Sequence, residues 1–383
     1  MSKPISWRPL RSVPVLVLLS LLLASCATRP FESAELRTET PIGAIRLFDA
    51  NGQPVSDAPV GRVGDNLEIL ALSGGGADGA FGAGVLNGWS ASGNRPKFDV
   101  VTGVSTGALI AALAFLGPGY DATLKDLYTN TTDAKVFRRK SVIGGLLSES
   151  FLDYTPLQRQ IERVVTPGLV NQIGNEHRRG RRLYVATTNL DAGELTVWDI
   201  GAIAASNFPS DIRTRVVQKI LRASAAVPGL FKPVYFRPRL DSDARQMHVD
   251  GGVKAPVLIR SFMFKVPAKK RTVYVIVNGQ IKLVDAKEPV EPEVAAISRK
   301  SITELLRGLL YKTLYQGYVS TRNARGRFRL MAIPDHVPAA KDPLEFDPAE
   351  MRALFETGYA MGRSGQGWAN EPPRLEAFER VSN

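Results

Sequence analysis

Phe98-Asp99-Val100-Val101-Thr102, then Gly103-Val104-Ser105-Thr106-Gly107, then Ala108-Leu109-Ile110-Ala111-Ala112-Leu113-Ala114 is the stretch that decides how the chain is read. The first five residues are a short strand, the middle five spell G-x-S-x-G, and the last seven predict a buried helix. A serine handed from a strand to a helix in this way sits in a tight, strained turn. Glycines two before and two after it remove side chains that would clash across the bend, and the hydroxyl is pushed outward over the helix N-terminus. Gly103 and Gly107 are therefore read as the elbow and Ser105 as a nucleophile. The pentapeptide spacing alone is unspecific, because Gly and Ser abound in loops. The strand-to-helix setting supplies the weight.

A similar arrangement precedes it. Leu67 to Ser73 reads as a buried strand, Gly74, Gly75, Gly76 and Gly79 follow, and Ala80 to Trp89 has helical apolar spacing. Glycines between a strand and a helix present backbone N–H groups at a helix N-terminus, which suits an anion or a developing oxyanion. The other reading is a Rossmann-type phosphate turn and nucleotide binding. That reading needs an acidic residue ~20 residues on, at the end of a second strand. Asp99 lies at about that distance but belongs to the nucleophile segment.

Ser105 needs a proton acceptor. The chain has three histidines, His177, His248 and His336. His336 lies in a Pro-flanked loop, and His177 lies in an Arg-rich segment that reads as a solvated turn. Met247-His248-Val249-Asp250-Gly251-Gly252 reads as a strand stopping at a turn, with Asp250 at its C-terminal end, where α/β sheets keep their sites. His248 shares a strand face with Asp250 and is read as structural.

These segments together, Gly74-Gly75-Gly76-Ala77-Asp78-Gly79, Gly103-Val104-Ser105-Thr106-Gly107 and Asp250-Gly251-Gly252, resemble the patatin-like phospholipase family. Ala223-Ser224-Ala225-Ala226-Val227-Pro228-Gly229-Leu230-Phe231 resembles that family's segment before the Asp-Gly-Gly turn, and the similarity runs from about Leu67 to at least Ile281. The resemblance implies a three-layer α/β/α fold with a mostly parallel sheet and C-terminal helical additions. It implies a lipid acyl hydrolase with a Ser105–Asp250 dyad, no histidine, no metal and no cofactor. It also implies an oxyanion hole at Gly74, Gly75 and Gly76, with Gly251 and Gly252 as the turn after the aspartate. One position departs from the family pattern: Asp78 stands where Arg or Lys is usual. A carboxylate there can cap free N–H groups of the following helix, yet it takes positive charge from the oxyanion region. That departure keeps open a catalytically weak acyl-chain-binding lipoprotein, and acyl transfer through the same dyad is a chemically adjacent alternative.

The rest of the chain sets the frame. Its 383 residues are 44% hydrophobic and 22% charged, enough for a real core and inconsistent with a disordered or disulfide-dense protein. The net charge is +12, a mild basicity that by itself does not argue for a nucleic-acid partner, and none is expected. Lys3, Arg8 and Arg11 precede an apolar run from Val13 to Ala24. At ~1.5 Å per residue that run is roughly 18 Å long, too short to span a bilayer and long enough for a secretory signal. It ends in Leu23-Ala24-Ser25-Cys26, with the chain's only cysteine last. This resembles the bacterial lipoprotein signal, which implies lipidation of Cys26. Ala27 at the next position implies outer-membrane sorting in the cell envelope. The expected division is 1–25 signal, 26–66 tether with one short strand at Ala44 to Phe48, 67–285 acyl hydrolase core and 286–383 C-terminal extension. Membrane lipids or other acyl esters are the expected substrate, and the N-terminal lipid is the expected membrane contact.

Further segments carry structural expectations. Leu183 to Thr188, Leu195 to Ile200 and Thr272 to Asn278 read as strands, and Arg327 to Ile333 as an edge strand. Glu293 to Arg322 and Ala349 to Arg363 read as helices, the first with Ile302, Leu305, Leu306, Leu309, Leu314 and Tyr318 packing on the core, a membrane-lying Leu305–Tyr318 stripe being the alternative. Asp126 to Ser150 reads either as a lid or as a surface excursion. Arg178, Arg179, Arg181 and Arg182 read as a solvated basic face or a phosphate contact.

Overall fold

The computed structural model describes residues 64–139, 150, 152–237, 245–281, 289–337 and 345–373. The signal at 1–25, Cys26, nearly all of the tether, the Ala44–Phe48 strand and residues 140–149 of the lid segment lie outside the described residues.

Eight strands form one sheet: β1 (Asn66–Leu72), β2 (Val100–Val104), β3 (Arg182–Asn189), β4 (Glu194–Asp199), β5 (Val234–Phe236), β6 (Gln246–Asp250), β7 (Lys270–Val277) and β8 (Arg327–Ala332). The spatial order is β8-β7-β1-β2-β3-β6-β5, with β4 also paired to β3. From β8 to β3 the strands run parallel, whereas β4, β6 and β5 pair antiparallel. The nine α-helices longer than four residues are α1 (Gly79–Ala91), α2 (Thr106–Leu116), α3 (Asp121–Thr129), α4 (Thr155–Val164), α5 (Pro167–Arg178), α6 (Ile200–Ala205), α7 (Ser210–Ser224), α8 (Val294–Asn323) and α9 (Pro348–Ser364) among the described residues.

The strands alternate between two cores because successive side chains point to opposite faces. Leu70, Leu72, Val101 and Val185 pack with residues of α1, α2, α5, α7 and α9. Ile69, Ala71, Val100 and Tyr184 pack on the other face, against residues 257–266 and Tyr311 and Leu314 of α8. The result is the three-layer α/β/α architecture with a mostly parallel sheet. The edge strand expected at Arg327 to Ile333 is β8. Helix α1, which starts at the glycine loop, is clamped to α9 by close backbone approach. A Cβ on Gly84 would stand 2.0 Å from the Phe355 carbonyl oxygen, and one on Gly358 would stand 2.2 Å from that of Phe81.

Helix α8 departs from expectation. Tyr311 and Leu314 are buried, but Ile302, Leu305 and Leu306 are exposed, Leu305 by 74%. The expected packing on the core is therefore met in the C-terminal half of α8 and not at Ile302, Leu305 and Leu306. No helix among the described residues is long and apolar enough to cross a membrane.

Candidate active site

Ser105 lies between the last residue of β2 and the first of α2, with φ 55° and ψ −128°. An L residue rarely adopts such a backbone, at a cost of order 1–3 kcal/mol, unless its surroundings over-determine it. Close packing does so here. A Cβ on Gly103 would meet the Gly107 carbonyl oxygen at 2.3 Å, and one on Gly107 would meet that of Ser73 at 2.4 Å. The Ser105 carbonyl accepts the Ala108 amide at 2.8 Å, and its amide donates to the Ser224 hydroxyl at 2.9 Å.

The sheet brings Asp250 to the same place by an unexpected route. β2 pairs with β3 up to Val104 opposite Ala186. Thr187, the next residue of β3, pairs with Asp250 of β6 and also with Thr196 of β4. Since β4 occupies one edge of β3, β6 must lie on the other, in line with β2. The two strands therefore meet end to end, C-terminus to C-terminus, along one edge of β3. Asp250 is the last residue of its strand, as the sequence predicts; β6 runs antiparallel to β3 and reaches the site because it follows β2 along the sheet.

Asp250 is buried, accepts the Gly252 amide on Oδ1 at 2.7 Å, and donates its own amide to the Ala226 carbonyl at 2.9 Å. Burial pushes its carboxyl up to about 6; hydrogen bonding with the Ser105 side chain and with the Gly252 amide opposes that rise. A Cβ on Gly251 would collide with the Ala186 carbonyl oxygen at 2.5 Å, and one on Gly252 would press on Asp250 Oδ1 at 3.0 Å.

The glycine loop stands beside Ser105. A Cβ on Gly74 would come within 3.1 Å of the Ser105 Cβ. Gly75 and Gly76 have φ of 154° and 56°, and a Cβ on Gly75 would overlap the Asn278 carbonyl oxygen at 2.0 Å. The expectation for Gly74 as an oxyanion donor is corrected, because its amide is already donated to the Pro256 carbonyl at 3.2 Å. The amides of Gly75 and Gly76 engage no acceptor among the described residues. Asn278, unremarked in the sequence, holds the loop. Its Nδ2 donates to the Ser73 carbonyl at 2.8 Å, and its Oδ1 accepts the Gly82 amide of α1 at 3.1 Å. Its place at the end of the Thr272–Asn278 run was the only sequence signal.

Asp78 does not cap α1: no side-chain capping bond is present, and its buried Oδ1 has no hydrogen-bond partner. Burial first and Glu350 second push its carboxyl up to about 7. Glu350 belongs to the first turn of α9, so Asp78 lies against that helix.

An apolar cavity of about 920 Å³ including its mouth opens at Gly76, Ser105 and Thr106 and runs between Leu109, Leu113, Ile161 and Phe231. Tyr128, also on its wall, bonds Thr106 Oγ1 at 2.6 Å.

The histidines stand elsewhere. His248 is fully buried, with Nδ1 2.9 Å from Thr187 Oγ1 and its ring against Trp198 and Phe236. His177 is not in a solvated turn. It ends α5 near Asp199, 3.5 Å from its carboxylate, and burial together with Arg182 and Arg178 lowers it to about 4. The basic cluster is also partly internal. Arg181 is buried, bonded to Glu176 at 2.8 Å and to the Phe98 carbonyl at 2.7 Å.

A family model described as patatin-like phospholipase matches residues 70–263, just over half of the chain. No curated protein matches. Among solved structures, the crystal structure of VipD from Legionella pneumophila matches with a TM-score of 0.42 and 12% identity, over 80% of this chain and 68% of that chain.

Proposed function

The chain belongs to the patatin-like phospholipase family, lipid acyl hydrolases, and from that premise we propose that it cleaves acyl esters through Ser105 and Asp250 alone. The observation that carries this is the end-to-end meeting of β2 and β6, which sets an elbow serine beside a buried carboxylate at the mouth of an apolar cavity. A free aspartate is a weak base for a serine hydroxyl, but burial raises this one to about 6. Asp250 takes the Ser105 proton as Oγ attacks the ester carbonyl carbon. The oxyanion accepts the Gly75 and Gly76 amides, donors of a kind worth ~2.7–4 kcal/mol each. Collapse expels the alcohol or lysolipid, which leaves with the proton from Asp250. Water, deprotonated by the same carboxylate, then attacks the acyl carbon, and Asp250 returns that proton to Ser105 Oγ as the fatty acid leaves. The cavity between Leu109, Leu113, Ile161 and Phe231 takes the acyl chain.

The test is reaction of the purified protein with a fluorophosphonate probe, beside hydrolysis of an acyl-ester panel. Labelling at Ser105, loss of cleavage in Ser105→Ala, and a kcat/KM that rises with pH through about 6 are expected. A protein that binds acyl chains without labelling would be the acyl-binding lipoprotein instead. The same proposal includes Cys26 as a lipidated mature N-terminus in the outer membrane, supported by the Leu23-Ala24-Ser25-Cys26 sequence. Mass spectrometry of that terminus checks it; an unmodified or uncleaved Cys26 rejects it.

A further inference from the structure

The end-to-end junction leaves a break in the sheet directly behind the nucleophile. β2 accompanies β3 only to Ala186, and β6 takes over at Thr187. A continuous strand would satisfy every ladder group along that edge, whereas at the break the Ala186 carbonyl and the Ser105 amide need other partners. One side chain serves both. Ser224, the last residue of α7 and fully buried, accepts the Ser105 amide on Oγ at 2.9 Å and donates its hydroxyl to the Ala186 carbonyl at 2.7 Å. Two residues on, the Ala226 carbonyl accepts the Asp250 amide at 2.9 Å. The end of α7 thus grips the backbone of both site residues.

We propose that Ser224 is a positioning residue for ester cleavage: its hydroxyl fixes the Ser105 backbone relative to Asp250. The inference rests on the dyad reading. Ser105 is held at φ 55°, a conformation that persists only while both sides of the residue are anchored. Its carbonyl is anchored by the first turn of α2 and its amide by Ser224. Because the Ser224 proton is committed to Ala186, its lone pairs face the Ser105 amide, so the bridge needs a group that donates and accepts at once. Alanine does neither. Threonine does both, and valine has threonine's shape without the hydroxyl.

The experiment compares Ser224→Ala, Ser224→Thr, Ser224→Val and Ser105→Ala in the full chain. It measures ester hydrolysis, the rate of fluorophosphonate labelling, and thermal unfolding by circular dichroism, with kinetics taken well below each melting point. In Ser224→Ala, kcat should fall about 10–100-fold, the scale of a displacement near 1 Å at a reacting group. KM should stay within about threefold, since the cavity is untouched, and labelling should slow by the same factor as kcat. Ser224→Thr should recover most of the rate and Ser224→Val should not, a comparison that holds even if alanine fails to fold. A wild-type kcat in Ser224→Ala, or equal rates in the threonine and valine variants, overturns the proposal. Residual cleavage by Ser105→Ala would instead overturn the dyad reading on which it rests.

Discussion

Asp250→Asn is expected to abolish ester cleavage and at the same time to stabilise the protein at neutral pH. The magnitude follows from the buried carboxyl. Its proton affinity rises from 3.8 to about 6 in the fold, chiefly by burial. At ~1.4 kcal/mol for each tenfold in affinity, the ionised aspartate opposes folding by about 3 kcal/mol. Between pH 3.8 and about 6 the folded chain keeps a proton that the unfolded chain releases, so stability falls as pH rises through that window and is flat above it. Asparagine cannot ionise and keeps the oxygen that accepts the Gly252 amide. Urea unfolding at several pH values measures the difference. The variant should exceed the wild type by about 3 kcal/mol at pH 8 and by less than about 1 kcal/mol at pH 4. Asp78 titrates in both proteins and cancels. A variant no more stable at pH 8, or a difference independent of pH, would mean that the carboxylate is not desolvated and that its basicity has no structural source.

Asp78→Asn should behave differently: activity stays within a few-fold of wild type, while stability rises by about 4 kcal/mol above pH 7, because that carboxyl is raised from 3.8 to about 7. Unfolding measured between pH 6 and 7 separates the two variants, since only the Asp78 difference is still growing there. Leu113→Trp, two turns of α2 or ~12 Å along the helix from Ser105, fills the cavity it lines. Cleavage of long-chain esters should fall more than about tenfold while short-chain esters change little; parallel losses for both would show that the cavity does not hold the chain.

Much of the layout is legible in the sequence. The elbow at Gly103 to Gly107, the strand before it and the helix after it follow from local rules: an apolar run, a turn only glycine tolerates, and helical spacing. What misled was context. Asp78 looked like a helix cap because capping is a local motif, but the approach of α9 and Glu350 buries it without a capping bond. Ile302 and Leu305 share the periodicity of Leu314, yet only the last is buried, since periodicity does not say which turns of a helix meet the core. Gly74 belongs to the same glycine run as Gly75 and Gly76, and only the neighbouring Pro256 carbonyl distinguishes it.

The order of residues along the chain determined which groups could do chemistry: a serine whose flanking glycines permit its turn, an aspartate closing a strand, and glycines before a helix. These depend on neighbours within a few bonds. That Ser105 and Asp250 share one site was decided only by tertiary structure, because it depends on two strands of opposite direction ending against each other on the same edge of β3. The same junction creates the unfilled ladder positions that Ser224 occupies, and the Asp250 carboxyl beside it is buried. The pairings that build this junction, Val104 with Ala186 and Thr187 with Asp250, are properties of the packed sheet, and no local pattern encodes them.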